Sequence, residues 1–148
     1  MRAVVTRVRS ASVHIEGRCS GEIGQGYLVL LGVGPRDTEE VARGLADKIC
    51  NLRVFEDENG KMNRSLEQVE GSILVVSQFT LYADTKSRRP GFTAAVKPDV
   101  AIPMYEIFMA QCRQRGFPVA HGEFGADMQV TAQNDGPVTL VFDTENGF

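Results

Sequence analysis

Three polar residues, Ser77, Gln78 and Thr80, directly follow the most apolar stretch of the chain, the run SILVV at 72–76. A polar group that is buried without a partner costs about 1–3 kcal/mol, so these side chains must be hydrogen-bonded inside the fold or face a cleft. In a cleft, hydroxyl and amide groups could hold and orient the polar atoms of a substrate. From composition alone the plainer interpretation is favoured, in which the three residues cap a buried strand.

The dipeptide Gly136-Pro137 is the second feature of chemical interest, because it lies between two segments rich in strand-forming residues. An X-Pro bond is cis in only about 5–6% of folded cases, so the default prediction is a trans turn that links two strands. The alternative is a fixed cis dipeptide whose carbonyl groups all point one way. The residues themselves leave both open.

The rest of the sequence offers little for ordinary side-chain catalysis. His14 lies in an alternating strand pattern and His121 in a loop, and neither belongs to a ligand cluster of the kind that binds a catalytic metal. The carboxylates Glu56, Asp57 and Glu58 surround a turn and are typical of a solvated loop tip. There is no glycine-rich phosphate loop of Walker or Rossmann form. We therefore predict neither a metal nor a cofactor.

Charge and composition limit the class of protein. The 148-residue chain is 43% hydrophobic, as in ordinary globular domains, and carries a net charge of −3. This charge argues against a long basic surface, so a nucleic-acid partner would have to be held locally. The longest apolar run, 27–33, is far shorter than the roughly 20 residues that span a bilayer, and the N-terminus lacks the apolar region of a signal peptide. We expect a soluble, cytoplasmic protein.

The elements that must position these residues are mostly strands. Apolar residues at helical spacing, with Asp37 or Thr38 as N-cap, predict one helix over 36–52, and a second helix is predicted from Asp99 to about Arg115. This order predicts an α+β fold in one domain, residues 1–148, with a mainly antiparallel, barrel-like sheet and two main helices. The predicted strands are 2–8, 10–17, 26–34, 72–81, 126–132 and 138–144.

Taken together, two motifs resemble the signatures of the D-aminoacyl-tRNA deacylase family: SQFTLYAD at 77–84 and NDGPVT at 134–139. Either motif alone is moderate evidence, whereas both in order within a colinear chain are highly specific, and the pair is similar to the D-specific branch of the family. One departure is Gly91, which stands where a serine is usual. The likeness continues through SASVHIEG at 10–17, GKMN at 60–63, RRPGF at 88–92 and FGADMQV at 124–130.

The resemblance implies a homodimer that hydrolyses the ester between a D-amino acid and the 3′ acceptor end of tRNA, with no need for a membrane or DNA. It also implies that the Gly-Pro bond is cis and that this dipeptide enters the active site of the partner subunit. Carried onto this sequence, the catalytic residues are Ser77, Gln78, Phe79 and Thr80, and the substrate-binding residues are Gly136, Pro137 and Met128.

The same resemblance implies selectivity by exclusion. Rigid carbonyl groups at Gly136-Pro137 would occupy the space that an L side chain needs. Glycine has no side chain to exclude, so glycyl-tRNA, including glycine mischarged on tRNA-Ala, would also be cleaved. The 2′-hydroxyl of the terminal adenosine is expected to assist water, and the N–H groups of Gln78 and Phe79 are expected to stabilise the oxyanion.

Two alternatives remain open. Thr80 could be the nucleophile of a general esterase or amidase, although no activating base stands near it in sequence. The fold could also serve as a non-catalytic tRNA-binding module. For the deacylase, we expect a small basic loop to contact phosphates at the acceptor end of the tRNA: Lys86, Arg88 and Arg89, with Arg2, Arg7 and Arg9 as alternatives.

Overall fold

A computed structural model describes residues 1–147, in which there are eight strands and two α-helices. The strands are β1 (Arg2–Ile15), β2 (Arg18–Ile23), β3 (Gly26–Gly32), β4 (Phe55–Glu56), β5 (Met62–Arg64), β6 (Ser72–Ser77), β7 (Val119–His121) and β8 (Gln129–Asp143). The helices are α1 (Glu39–Cys50) and α2 (Pro98–Gln114), and short 3₁₀ helices cover Phe79–Tyr82 and Thr144–Asn146. No helix within 1–147 is long and apolar enough to cross a membrane.

The main sheet is organised around β1, which pairs with three other strands. On one edge, β8 runs antiparallel to it over almost its whole length. On the other edge, β3 pairs with residues 2–8 and β2 pairs with residues 11–15. β6 and β7 extend the sheet from β3 in parallel, while β4 and β5 form a separate hairpin. The prediction of a mainly antiparallel sheet is confirmed, with two parallel pairings added.

The sheet nearly closes into a barrel because its two end strands, β2 and β7, approach each other. The Ser20 hydroxyl donates to the carbonyl of His121 at 3.2 Å. A Cβ atom on Gly21 would lie only 2.8 Å from the same carbonyl oxygen, so a glycine is what allows the two backbones to come this close. The predicted barrel-like sheet is therefore also confirmed.

The strand β6 is buried on both faces, as its continuous apolar run predicts. Ile73 and Val75 belong to the core beneath the two helices, which includes the fully buried Leu45 of α1. Leu74 and Val76 point to the opposite side and belong to a second, separate cluster of buried apolar residues. Packing on both faces fixes the direction of β6, and with it the position of the polar residues at its end.

The cap of α1 illustrates how closely the helix boundaries follow the sequence. The Thr38 hydroxyl accepts a hydrogen bond from the Val41 N–H at 3.3 Å, as expected of an N-cap. Asp37 takes another role: one carboxylate oxygen pairs with the N-terminal ammonium of Met1, and the other accepts from the Gly34 N–H at 2.6 Å. The second helix begins within one residue of its predicted start.

The structure corrects the default prediction for Gly136-Pro137, because this dipeptide lies inside the continuous strand β8 and its peptide bond is cis. Pairing with β1 changes register beside it: Thr6 is opposite Thr139, while Val8 is opposite Asn134. Four residues of β8 therefore stand against a single residue of β1. Such a bulge lets the dipeptide project from a strand that continues beyond it.

Candidate active site

The chain turns sharply where β6 ends, and hydrogen bonds hold this turn in place. The Gln78 N–H donates to the Leu31 carbonyl at 2.8 Å, which ties the turn to the neighbouring strand β3. The amide group of the Gln78 side chain donates to the Thr80 hydroxyl oxygen. The Gln78 carbonyl accepts from the Leu81 N–H at 3.2 Å and so starts the 3₁₀ helix. Gln78 therefore organises the turn through both its backbone and its side chain.

Tyr105 of α2 contacts the same turn through the carbonyl group of Leu31. Its buried hydroxyl donates to the Leu31 carbonyl at 2.5 Å, the same oxygen that receives the Gln78 N–H. Burial raises the pKa of Tyr105 to about 12, and a hydrogen bond from the Gln78 backbone offsets part of this rise. The sequence places Tyr105 on an apolar stripe, and nothing in that pattern predicts where its hydroxyl group points.

A cavity of about 500 Å³ opens beside the turn. Ser77 and Gln78 form its polar end, the exposed ring of Phe79 lies beside them, and Met128 lies in its wall. Four of the sequence-predicted site residues are thus brought together. The sequence prediction missed most of the apolar wall, although part of it falls in the same FGADMQV motif as Met128. The further lining residues are Val76, Val96, Pro98, Phe124, Gly125, Ala126 and Val130.

Thr80 does not line this cavity, and its contacts limit what it can do chemically. Its hydroxyl oxygen accepts a hydrogen bond from the Gln78 amide, which is a donor and cannot take a proton from the hydroxyl group. A nucleophilic threonine needs an adjacent base. In the described structure, the group next to the Thr80 hydroxyl is the amide donor of Gln78 and not a base.

The available oxyanion donors differ from those expected, since the Gln78 N–H already donates to the Leu31 carbonyl. The 3₁₀ helix that follows leaves its first amides, those of Phe79 and Thr80, without carbonyl partners in the helix. The pair of donors that the turn can offer is therefore shifted by one residue along the chain.

Gly136-Pro137 is exposed and does not line the cavity. Beneath it, the nearly buried guanidinium of Arg7 donates to the Asp135 carbonyl at 2.8 Å and to the Val54 carbonyl at 2.5 Å. Arg7 also forms an ion pair with the Asp135 carboxylate at 3.4 Å. The alternative in which Arg7 contacts tRNA is therefore wrong, because its charge is used inside the fold to hold the base of the bulge.

Comparison with known proteins identifies the family. Residues 4–143 match the family model described as D-Tyr-tRNA(Tyr) deacylase. The chain belongs to the D-Tyr-tRNA(Tyr) deacylase family. Curated proteins named D-aminoacyl-tRNA deacylase are similar over almost the full length: 58% identity for the one from Exiguobacterium sibiricum, covering 97% of this chain and 99% of the relative. The one from Thermosipho africanus is 52% identical over the whole of both chains.

Solved structures share the deacylase fold. One titled "c-Myc DNA Unwinding Element Binding Protein" is 44% identical, with a TM-score of 0.91, and the match covers 97% of this chain and 98% of the other. A second, titled as a probable eukaryotic D-amino acid tRNA deacylase, is 21% identical with a TM-score of 0.81 and covers 95% and 97% of the two chains. At that identity the second likeness shows the fold alone. The predicted family and fold class are both confirmed.

None of the described residues that line the cavity is acidic. Among residues 1–147, no three His, Cys, Asp or Glu side chains come together in a way that could hold a metal ion. The groups that the site does present are backbone N–H groups, one amide side chain and two hydroxyl groups, set against apolar walls. Such an arrangement can orient a substrate and stabilise an oxyanion.

Proposed function

We propose that this chain hydrolyses the ester bond between a D-amino acid and the 3′ end of tRNA in the cytoplasm. The observation that carries the proposal is the cavity at the end of β6, in which Ser77, Gln78 and Phe79 of one family motif face Met128 of another. Its volume of about 500 Å³ is within the ordinary range for small-ligand sites and suits one amino acid with the terminal nucleoside. The reaction requires no DNA.

The reaction needs little from side chains. Water adds to the ester carbonyl carbon, the amides of Phe79 and Thr80 stabilise the oxyanion, and the bond to the ribose 3′-oxygen then breaks. The 2′-hydroxyl of the terminal adenosine helps to take the proton from water, and the leaving 3′-oxygen is protonated. Thr80 positions the Gln78 amide in this scheme, which agrees with a hydroxyl group that faces an amide donor.

Chiral selection is assigned to Gly136-Pro137 of a partner subunit in a homodimer. Two observations support this: the dipeptide is exposed on its own subunit and lies outside that subunit's cavity. In addition, β8 pairs only with β1 among the described strands, so its other edge is open, and Val141 on this strand is 72% exposed. The dipeptide would fill the space of an L side chain. Glycyl-tRNA, including glycine mischarged on tRNA-Ala, would pass the same filter.

The first test compares D-tyrosyl-tRNA with L-tyrosyl-tRNA, using purified protein without added metal. We expect rapid release of D-tyrosine while the L ester decays at its spontaneous rate. Equal hydrolysis of both would contradict chiral exclusion and leave a general esterase. Stable esters in the presence of folded protein would instead support a tRNA-binding module.

The chemical step can be tested separately. Thr80→Ala should keep much of the activity, whereas D-aminoacyl-tRNA ending in 2′-deoxyadenosine should resist hydrolysis by the unchanged enzyme. The reverse pattern, with an inactive Thr80→Ala and a cleaved 2′-deoxy substrate, would establish Thr80 as a nucleophile. A covalent acyl-enzyme, detected by mass spectrometry of the intact protein, would do the same.

We call Gly136-Pro137 the gate, because it is proposed to exclude L side chains. Mixed subunits can test whether the gate of one subunit acts in the cavity of its partner. Gly136→Ala should disturb the gate, because a Cβ there would lie 2.3 Å from the Val138 nitrogen at a φ of +155°. Ala126→Phe should block the cavity that Ala126 lines. A heterodimer of the two variants has one intact composite site if the gate comes from the partner, and it should cleave only the D ester. If the gate acted within its own chain, the heterodimer would keep the poor selectivity of the Gly136→Ala homodimer.

A further inference from the structure

The cationic side chains of this acidic chain fall into two groups, those paired within the fold and those without a partner there. Most arginines are ion-paired or hydrogen-bonded within the fold, as Arg7 and Arg115 are. Of the six cations for which the described structure shows no such partner, four lie in the segment 84–97 that borders the cavity. These four, which we call the basic rim, are Lys86, Arg88, Arg89 and Lys97; the other two are Arg36 and Lys61.

The segment that carries the basic rim is held in a defined shape. Asp84 and Gly91 exchange two backbone hydrogen bonds of 2.8 and 2.9 Å, which close the loop that bears the first three cations. The Ala95 N–H donates to the Phe92 carbonyl at 3.1 Å and turns the chain toward the cavity wall. Lys97 stands between two lining residues, Val96 and Pro98.

An exposed aromatic pair joins this segment to the active-site turn. Phe92 packs edge to face against Phe79, with 5.2 Å between the ring centroids. Phe79 is 51% and Phe92 39% exposed, although each is a large apolar side chain. Exposed aromatic rings beside free cations are typical of surfaces that bind single-stranded nucleic acid, where bases stack and phosphates pair with the cations.

We propose that the basic rim and Phe92 together bind the single-stranded nucleotides that precede the terminal adenosine of the tRNA. The cavity takes the aminoacylated nucleoside, and the next nucleotides leave it on the side where Val96 lines it and Phe92 packs on Phe79. There the cations contact backbone phosphates and Phe92 stacks on a base. This inference rests on the proposed function, and it places the nucleic-acid contact on one short segment of a protein whose net charge is −3.

The test compares two substrates, D-tyrosyl-tRNA and the minimal ester D-tyrosyl-adenosine, which lacks the preceding nucleotides. Arg88→Ala/Arg89→Ala should lower kcat/KM for the tRNA ester and leave that for the minimal ester unchanged. The plot of log kcat/KM for tRNA against log salt should become shallower by about 1.4, since each single-strand phosphate contact contributes about 0.7. Arg36→Ala/Lys61→Ala removes the same charge away from the rim, and it should change neither value.

Phe92→Ala tests whether Phe92 stacks on a base of the RNA or only supports Phe79. Loss of one stacked base should lower kcat/KM for the tRNA ester by about tenfold, with no change for the minimal ester. Equal losses on both esters would overturn the proposal, because Phe92 would then act only by supporting Phe79. Unchanged activity of both the Phe92 and the Arg88/Arg89 variants on tRNA would overturn it as well.

Binding provides a readout that does not depend on catalysis. An RNA hairpin that carries no amino acid and ends in single-stranded CCA should bind the wild-type protein more tightly than either variant. If the wild-type protein cleaves neither ester, the proposed function fails, and this measurement still decides the role of the rim. Equal affinity of wild type and variants for the hairpin would overturn the inference.

Discussion

The Tyr105 hydroxyl donates to the Leu31 carbonyl, which also accepts from the Gln78 N–H, so we expect Tyr105 to position the turn at Gln78. Tyr105→Phe should lower the free energy of unfolding by about 0.5–1.5 kcal/mol, because one buried hydrogen bond is lost while the Leu31 oxygen still accepts from the Gln78 N–H. We also expect kcat to fall more than KM rises, because the turn at Gln78 loses support while the cavity walls stay in place. Chemical denaturation and steady-state kinetics on D-tyrosyl-tRNA measure the two effects.

Tyr27→Phe is a matched control for Tyr105→Phe. The Tyr27 side chain is equally inaccessible, but its hydroxyl group has no hydrogen-bond partner in the described structure. Removal of that oxygen should leave the kinetics unchanged and should not lower the free energy of unfolding, because a buried hydroxyl group without a partner is itself destabilising. Similar losses in both variants would show that the cost comes from repacking, and the positioning role of Tyr105 would have to be abandoned.

At the scale of single residues, sequence reasoning found four residues that line the cavity. Ser77, Gln78, Phe79 and Met128 stand in recognisable motifs, and the structure brings them to one cavity. It missed the supporting role of Tyr105 because this depends on a carbonyl group 74 positions away in sequence. Roles of this kind depend on where the backbone folds back, and no local pattern records that.

At the scale of elements, α1 contains a glycine with no structural need for it. Gly44 is exposed in the middle of the helix, and a Cβ there would meet no atom within 4 Å. Gly44→Ala should stabilise the protein by about 1 kcal/mol, since alanine loses less backbone entropy in a helix. Thermal unfolding should show a higher Tm, with activity on D-tyrosyl-tRNA unchanged.

A contrasting glycine checks that Gly44→Ala acts through the helix. Gly60→Ala places a side chain at a φ of +73°, in the β4–β5 turn, where L residues are strained. It should lower the Tm although the space around it is equally open. A lower Tm for Gly44→Ala would mean that α1 tolerates a side chain less well than its exposure indicates.

The elements also show where a sequence pattern predicts structure and where it misleads. Helix α1 was predicted from apolar spacing and its cap, both local signals that the structure confirms. Strand β8 was predicted as two strands because Gly-Pro normally ends a strand. The strand continues because β1 supplies pairing partners on both sides of the bulge. A distant neighbour thus outweighs the local signal.

At the scale of the whole molecule, all three tyrosines of the chain are held in their neutral form. Burial raises the pKa of Tyr27, Tyr82 and Tyr105, to about 12 for Tyr105. A raised pKa stabilises the fold fully below the unfolded value of about 10, and this contribution is lost as the pH rises through the folded pKa. The free energy of unfolding should therefore decline from about pH 10 upward.

Ultraviolet difference absorbance of the phenolate measures this directly. The folded protein should show almost no tyrosine ionisation at pH 10, whereas protein unfolded in urea should be about half ionised there. Denaturation curves at increasing pH should give a falling free energy over the same range. Ordinary ionisation of one tyrosine in the folded protein at pH 10 would show that this ring is exposed in solution.

The central place of β1 has a consequence for the synthesis of the protein. β1 pairs along almost its whole length with β8, and residues 16–128 are made between the two strands. At about 5–20 residues per second, β1 waits several seconds with one edge unpaired, because its final partner does not yet exist. Folding that joins such distant segments is slow, so we expect nearby strands, or chaperones, to cover β1 until β8 has been made.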